Sequence, residues 1–205
     1  MILLNGQPNL WVTADWHLGH RYFITTKKRP FSSVEEMNEA YIANHNAVVK
    51  KGDLVYVLGD LYLQMKLEQC VEIQKRLNGN FYVIQGNHDG IAVQMMKKHN
   101  SFVWIRQLEE IKIGQPWFDD KSKKMITLCH YAMRSWRNSC YNSYHLYGHS
   151  HGMLPDEPHL LSMDVGVDCH NLYPISIEQV VQRLESKMPA RLAYLESLRG
   201  SGRVE

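Results

Sequence analysis

The chain has 205 residues, a formal net charge of +2 and 44% hydrophobic residues, a composition typical of an ordinary globular protein. No apolar run approaches the roughly 18 residues of a membrane span, and the N-terminus has neither a basic segment nor a long apolar stretch, so no secretion signal is expected. The four cysteines form no Cys-x-x-Cys pair, which disfavours a zinc ribbon and favours reduced thiols in a cytoplasmic protein, whereas eleven histidines favour a search for a metal site.

The first hundred residues alternate short apolar runs with amphipathic segments. Ser32 and Glu35 have the spacing of a capping box at the start of the first long helix. Alternation of strands and helices predicts an α/β fold with parallel strand pairing. Strands are predicted for residues 10–15, 54–60 and 81–89, and helices for residues 32–49, 66–77 and 91–99.

The second half is richer in β-like runs, which loops connect without a clear helix between them. It predicts either one mixed sheet or two sheets packed face to face with helices outside. We expect one domain over residues 1–205, because no linker rich in Pro, Gly or Ser divides the chain. The β-like runs are 125–131, 144–152 and 159–168. A C-terminal helix is predicted over 175–186, with an interruption at Pro189 and a second helical piece over 190–199. Residues 200–205 are predicted to be a frayed tail.

Five apolar runs end in side chains that bind metals. Ligands of open α/β sheets bind at the carboxyl ends of the strands, so these side chains predict one metal site. Capping and turn roles are the alternative for the same residues. In an extended segment His149 and His151 would face the same side and could share a metal. The strand-end residues are Asp15, His17, Asp60, Asn87, His88, Asp89, His130, His149 and His151.

The ligand types indicate the class of metal. Mixed Asp, Asn and His ligation without thiolate suits Mn, Fe, Zn or Co better than Ca. The ligands are too numerous for a single ion. A carboxylate can bridge two ions about 3.5–4 Å apart, an arrangement that clamps both oxygens of an in-line phosphoryl displacement.

These motifs resemble the five signature motifs of the calcineurin-like metallophosphoesterase superfamily, in the family's order. They are Asp-x-His at 15–17, Gly-Asp at 59–60, Gly-Asn-His-Asp at 86–89, His130, and Gly-His-x-His at 148–151. The flanking segments 29–60 and 162–176 resemble the small single-domain phosphoesterases of bacteria and their phages. The resemblance implies a four-layer αββα sandwich, in which helices flank two mixed β-sheets.

The resemblance also implies a role for each residue. His88 would act as the general acid toward the leaving oxygen or would grip the phosphate. Two divalent ions are implied, with Mn expected and Fe, Zn, Ni or Mg as alternatives, and a hydroxide between them would attack the phosphorus. Asp15, His17 and His151 would hold the first ion, Asp60 would bridge, and Asn87, His130 and His149 would hold the second.

The implied reaction is hydrolysis of phosphodiesters of nucleotide or cyclic type, with phosphomonoesters as further candidate substrates. A non-catalytic metal-binding scaffold on the same fold is the alternative, and the complete ligand set with His88 favours the enzyme. The sequence departs from many relatives after Gly-Asp, where "GDLYLQ" supplies no second acid or basic residue. What orients His88 is therefore left open.

Substrate contacts are predicted beside the metal motifs. His20 and Arg134 are candidates for binding the phosphate, and Trp136 is a candidate for stacking on a flat leaving group. The alternatives are a solvated loop for His20, a surface position for Arg134 and packing for Trp136. The basic stretches 27–30 and 121–124 are interpreted as solvated charge, so the charge pattern indicates neither nucleic acid nor a membrane as a partner.

Overall fold

The computed structural model describes residues 9–26, 28–114 and 123–200 of the chain. The strands are β1 (Leu10–Thr13), β2 (Leu54–Val57), β3 (Asn80–Ile84), β4 (Trp104–Arg106), β5 (Leu108–Ile113), β6 (Lys124–Cys129), β7 (Tyr144–Tyr147), β8 (Ser162–Asp164) and β9 (Ile175–Ser176). The helices are α1 (Tyr22–Thr25), α2 (Val34–Val48), α3 (Leu67–Arg76), α4 (Gly90–His99), α5 (Ile177–Glu185) and α6 (Met188–Gly200). Short 3-10 turns lie at Ser139–Tyr141 and Val167–Cys169.

The strands form two sheets. The first has the order β4-β3-β2-β1-β9, and its strands are parallel except β9, which runs antiparallel to β1. The second has the order β5-β6-β7-β8, where β5 is antiparallel to β6 and the other pairs are parallel. The predicted fold of two mixed sheets flanked by helices is therefore confirmed.

Alternating side chains divide the core into two apolar clusters. Val12 on β1 and Leu54 on β2 point toward the second sheet, where they pack with residues such as Ile126 and Leu146. Val55 on β2 belongs to the other cluster, which lies under the helices. This cluster takes in Tyr41 of α2, Cys70 of α3 and Met95 of α4. Because successive strand residues point to opposite faces, the parallel strands of the first sheet are buried on both sides.

Most predicted elements are present, with shifted ends. The predicted strands extend too far at their carboxyl ends, because the chain turns into the site there. The strands β4 and β5 were not predicted, and the two residues of β9 were assigned to the helix that follows them. The capping residue of α2 is Ser33, whose side chain accepts a hydrogen bond from the Glu36 backbone N–H, so the prediction of Ser32 was wrong by one residue.

The break in the C-terminal helix lies two to three residues before Pro189, the position at which it was predicted. The break lies between Glu185 and Met188, and Pro189 occupies the first turn of α6, where its missing N–H costs no helical hydrogen bond. The helix continues through Gly200, and residues 201–205 of the predicted tail lie outside the described part of the chain. Within the described ranges, no helix has the length and apolar character needed to cross a membrane.

Candidate metal centre

The carboxyl ends of strands from both sheets meet at one place. Asp15 follows β1, Asp60 follows β2 and His130 follows β6. Backbone hydrogen bonds hold the strand ends together within each sheet: the N–H of Asp15 donates to the Gly59 carbonyl at 2.9 Å in the first sheet, and the N–H of Gly148 donates to the His130 carbonyl at 3.0 Å in the second. The centre therefore lies where the carboxyl ends of the two sheets come together.

The predicted ligands gather in two groups. In each group, ligand atoms from three residues lie within 4.8 Å of one another. The first metal group is Asp15, His17 and His151, and the second metal group is Asp60, His130 and His149.

Asp60 connects the two groups. Its Oδ2 lies 3.5 Å from His17 Nε2 in the first metal group and 3.6 Å from His130 Nε2 in the second. Asn87 joins the second group, because its Oδ1 lies 3.0 Å from His130 Nε2. A carboxylate in this position can bridge two ions.

The backbone at the ligands is in an unusual conformation. Five of the predicted ligands have φ between +46° and +68°, a region that residues other than glycine rarely adopt. Such strain clusters at functional sites, where the surrounding structure imposes it. The five are Asp15, His17, Asp60, His149 and His151.

The interpretation of His149 and His151 as neighbours on an extended segment was wrong. The strand β7 ends at Tyr147, and both histidines lie in the turn beyond it with positive φ. Their side chains consequently belong to different metal groups. The backbone N–H of His149 also donates to both oxygens of Asp15, at 3.0 and 2.9 Å, which ties the turn to the first group.

Close packing at Gly59 leaves no room for a side chain. Its φ is +94°, and a Cβ there would overlap His130 Nδ1 and lie 2.8 Å from the Gly86 Cα. His130 Nδ1 is itself held by the Leu58 carbonyl oxygen at 2.7 Å. The hydrogen on Nδ1 donates to that carbonyl, so Nε2 keeps the lone pair that a metal needs.

The buried carboxylate of Asp89 holds the strand ends together. It accepts backbone hydrogen bonds from Asp60 at 2.9 Å, Leu61 at 2.9 Å and Gly86 at 2.7 Å. Asp89 therefore points at the backbone and not at the His88 imidazole. His88 is exposed, its backbone N–H donates to Asp60 Oδ1 at 2.8 Å, and its ring centroid lies 5.6 Å from that of His17.

The chemistry of the first metal group fits a divalent cation. Both ring nitrogens of His17 are buried and have no hydrogen-bond partner among the described residues. Burial lowers the pKa of His17 to about 2, which keeps the imidazole in the neutral form that binds metals. Burial raises the pKa of Asp15 to about 7, against the opposing effects of His151 and the His149 N–H. A cation would satisfy one of the two unpaired nitrogens and favour the ionised Asp15.

Two residues that support His151 were not predicted as functional. Arg29, which belongs to the basic stretch interpreted as solvated, is 3% exposed and pairs with Asp168 at 2.8 Å. Asp168 Oδ2 lies 2.6 Å from His151 Nδ1. Burial of Asp168 opposes its ionisation, but the hydrogen bonds from His151 and Arg29 outweigh it and lower the pKa of the carboxyl group. The solvated interpretation was wrong for Arg29.

The predicted substrate contacts have different positions. His20 is half-buried, and its ring centroid lies 5.8 Å from that of His17, next to the first metal group. Arg134 is exposed in the loop after β6. Trp136 is buried, and its indole N–H donates to the Ser143 carbonyl, so it packs the loop and is not free to stack on a ligand.

Two exposed tyrosines flank the centre instead. The ring of Tyr131 lies 4.9 Å from the rings of both His130 and His149, and 47% of the residue is exposed. Tyr22 is equally exposed and stacks on His20 at 5.8 Å. The sequence signal was the position of Tyr131 directly after His130 and of Tyr22 two residues after His20.

Comparison with known proteins agrees with this geometry. A family model described as calcineurin-like phosphoesterase matches residues 8–153. The chain belongs to this family. The uncharacterized protein MJ1445 of Methanocaldococcus jannaschii is similar to this phosphoesterase, with 30% identity over 183 residues, which are 86% of this chain and 91% of that protein.

A solved structure shares the fold of this phosphoesterase. The crystal structure of the protein of unknown function AQ665 from Aquifex aeolicus matches it with a TM-score of 0.64 at 20% identity, covering 86% of this chain and 99% of that one. Membership of the calcineurin-like phosphoesterases indicates a metal-dependent hydrolase of phosphate esters, and the family typically binds two divalent metals. The two metal groups of this chain suit that requirement.

Proposed function

We propose that this phosphoesterase hydrolyses phosphodiesters of nucleotide or cyclic type with two divalent ions, Mn being the expected metal. The observation that carries the proposal is the position of Asp60, whose Oδ2 lies 3.5 Å from His17 and 3.6 Å from His130. The first and second metal groups are thereby close enough to act on one phosphate. When bound, two such ions lower the pKa of a water and clamp the attacking and leaving oxygens.

The charge around the centre favours a diester over a monoester. A monoester carries more negative charge and needs more cationic groups around it. The guanidinium of Arg29 reaches the first metal group, but it donates to Asp168 and to the carbonyls of Asp15 and Trp16. It is therefore committed to the protein and does not face a substrate.

The tyrosines next to the centre suit a flat leaving group. Tyr131 and Tyr22 are about half exposed, and each is held at one side by histidine rings. Stacking of a nucleobase on an aromatic side chain contributes about 1–3 kcal/mol. His20 lies between Tyr22 and His17, where it can donate a hydrogen bond to a phosphate oxygen.

His88 is the candidate proton donor in this mechanism. Its backbone is fixed by the hydrogen bond to Asp60 Oδ1, while its side chain is exposed at the centre. A positioned acid protonates the leaving oxygen as the ester bond breaks and contributes typically about 10²–10⁴-fold to the rate. Arg134 is proposed as a further phosphate contact from its loop.

The test uses metal-free protein to which Mn²⁺, Fe²⁺, Zn²⁺, Ni²⁺ or Mg²⁺ is added singly. Hydrolysis of bis(p-nitrophenyl) phosphate is compared with that of p-nitrophenyl phosphate. We expect metal-dependent turnover with the diester preferred. His88→Ala should lose about 10²–10⁴-fold in kcat while binding the same number of ions. His99→Ala is the matched control, because His99 is an exposed histidine at the end of α4.

Each other outcome has a definite meaning. A preference for the monoester would mean that the protein is a phosphomonoesterase, and the proposal of a metal-dependent hydrolase would stand. Two bound ions without turnover of either ester, or of nucleotide and cyclic-nucleotide diesters, would favour the metal-binding scaffold. Equal losses in His88→Ala and His99→Ala would refute the role of His88.

A further inference from the structure

A single buried guanidinium lies beneath the first metal group. Arg29 Nη1 donates to the Trp16 carbonyl at 2.6 Å, and Nη2 donates to the Asp15 carbonyl at 2.7 Å. The same side chain forms a two-point contact with Asp168, from Nε at 2.8 Å and from Nη2 at 3.0 Å. Arg29 thus fixes the backbone that carries Asp15 and His17, and it connects this segment to the 3-10 turn at Val167–Cys169.

Asp168 extends the contact to the third ligand of the group. Its Oδ2 lies 2.6 Å from His151 Nδ1. An ionised carboxylate is only an acceptor, so the hydrogen of the imidazole is held on Nδ1 and the lone pair is left on Nε2. Carboxylates that accept from the far nitrogen of a metal-binding histidine fix its tautomer and ring orientation.

Phe23 completes the support of this group. Its ring lies 5.0 Å from the His17 ring and 5.1 Å from the His151 ring, and the Arg29 guanidinium carbon lies 4.3 Å from its centroid. Arg29 therefore contacts the Asp15 carbonyl directly, and it contacts His17 and His151 only indirectly, through Phe23 and Asp168.

In the second metal group, His130 has a support that involves neither Arg29 nor Asp168. His130 is oriented by the Leu58 carbonyl, 2.7 Å from its Nδ1. Among the described residues, the side-chain hydrogen bonds of Arg29 and Asp168 go to each other, to the first metal group and its backbone and to the Met37 sulfur, and none goes to Asp60, His130 or His149.

We propose that Arg29 and Asp168 are positioning residues that set the tautomer and orientation of His151, and so determine the metal affinity of the first metal group alone. The proposal rests on the proposed function only in requiring that a divalent ion binds this group. A structural ion pair is the competing explanation, and it predicts a loss that is shared by both groups. Selectivity between the groups therefore separates the two explanations.

The experiment measures Zn²⁺ affinity at each group separately. His149→Ala removes a ligand of the second group and leaves the first to be titrated, whereas His151→Ala does the reverse. Asp168→Asn is placed in both backgrounds and titrated against a competing chelator. We expect a loss of about 10–100-fold in the His149→Ala background and less than about 3-fold in the His151→Ala background.

Two further variants make the titration decisive. Arg29→Lys keeps the charge but not the two-point contact, so it should reproduce the selective loss even if Asp168→Asn folds poorly. Asp53→Asn is the matched control, because Asp53 is a buried carboxylate that accepts hydrogen bonds from Asn9, Trp11 and Lys50 and contacts no predicted ligand. It should leave both affinities unchanged.

The zinc-loaded protein gives a direct view of the tautomer. Nitrogen-15 NMR of the histidine rings should show His151 with its hydrogen on Nδ1, slow to exchange with water, and Asp168→Asn should accelerate that exchange. Equal losses at both groups, or a hydrogen on Nε2 of His151, would overturn the proposal. Neither readout requires turnover, so an inactive protein that keeps the selective loss would refute the proposed hydrolysis and leave this inference standing.

Discussion

Alanine at Gly59 and alanine at Gly52 should have unequal effects, although the two backbones are alike. Gly59 has φ of +94° and Gly52 has φ of +93°. Any residue other than glycine is strained there by about 1–3 kcal/mol. That cost is common to both substitutions. The difference between their destabilisation energies therefore reports the steric clash that the new Cβ makes at each site.

The surroundings of the two glycines differ completely. At Gly52, a Cβ would meet no heavy atom within 4 Å. At Gly59, it would overlap His130 Nδ1 and lie 2.8 Å from both N and Cα of Gly86. His130 cannot yield without breaking its hydrogen bond to Leu58, and overpacking of this kind costs about 1–3 kcal/mol more.

The assay is urea unfolding of both metal-free variants beside the wild type, together with zinc stoichiometry. We expect a destabilisation of about 1–3 kcal/mol for Gly52→Ala and about 2–6 kcal/mol for Gly59→Ala. Gly59→Ala should also lose the ion of the second metal group, because His130 is displaced. Destabilisation that agrees within about 0.5 kcal/mol, with both ions retained, would refute the steric reasoning.

Two other substitutions test the scaffold of the site. Asp89→Asn keeps one acceptor oxygen for three backbone donors, so unfolding experiments should show a loss of about 1–3 kcal/mol for each donor left unpaired; no loss would contradict the bracing role. Burial lowers the pKa of His45 to about 4 from 6.5, so the unfolded state binds more protons between these values and stability falls as the pH drops through this range. His45→Gln can still donate a hydrogen bond to the Asn78 carbonyl but does not titrate. It should therefore remove up to about 3 kcal/mol of the loss in unfolding free energy between pH 7 and pH 4.5. Parallel plots of stability against pH for wild type and variant would refute this role of His45.

The parts of the fold that the sequence predicts are those with a local signal. The helices α2, α3 and α4 and the strands β1 to β3 have apolar periodicity that is visible within each segment. The strands β4 and β5 were missed because residues 104–113 mix charged and apolar side chains, and they lie at sheet edges where one side needs no partner strand. The two residues of β9 are too short for any periodicity to show.

The candidate ligands were predictable for the same reason, since each stands directly after an apolar run. Arg29 and Asp168 were not, because their significance depends on a contact across 139 residues. A short basic stretch is usually solvated, and Arg29 is buried because a carboxylate and two carbonyls satisfy its donors. No sequence pattern within residues 27–30 indicates that Arg29 has these partners.

His17 and His145 show that burial alone does not separate a candidate metal ligand from a structural histidine. His17 is 4% exposed and His145 is 0% exposed, so the two are equally removed from water. His145 has a partner on each nitrogen, the Thr127 carbonyl at 3.0 Å and the Met133 N–H at 3.1 Å, and it needs nothing further. His17 has a partner on neither nitrogen among the described residues. An unpaired buried imidazole costs free energy, and a cation bound at the first metal group would offset that cost at His17.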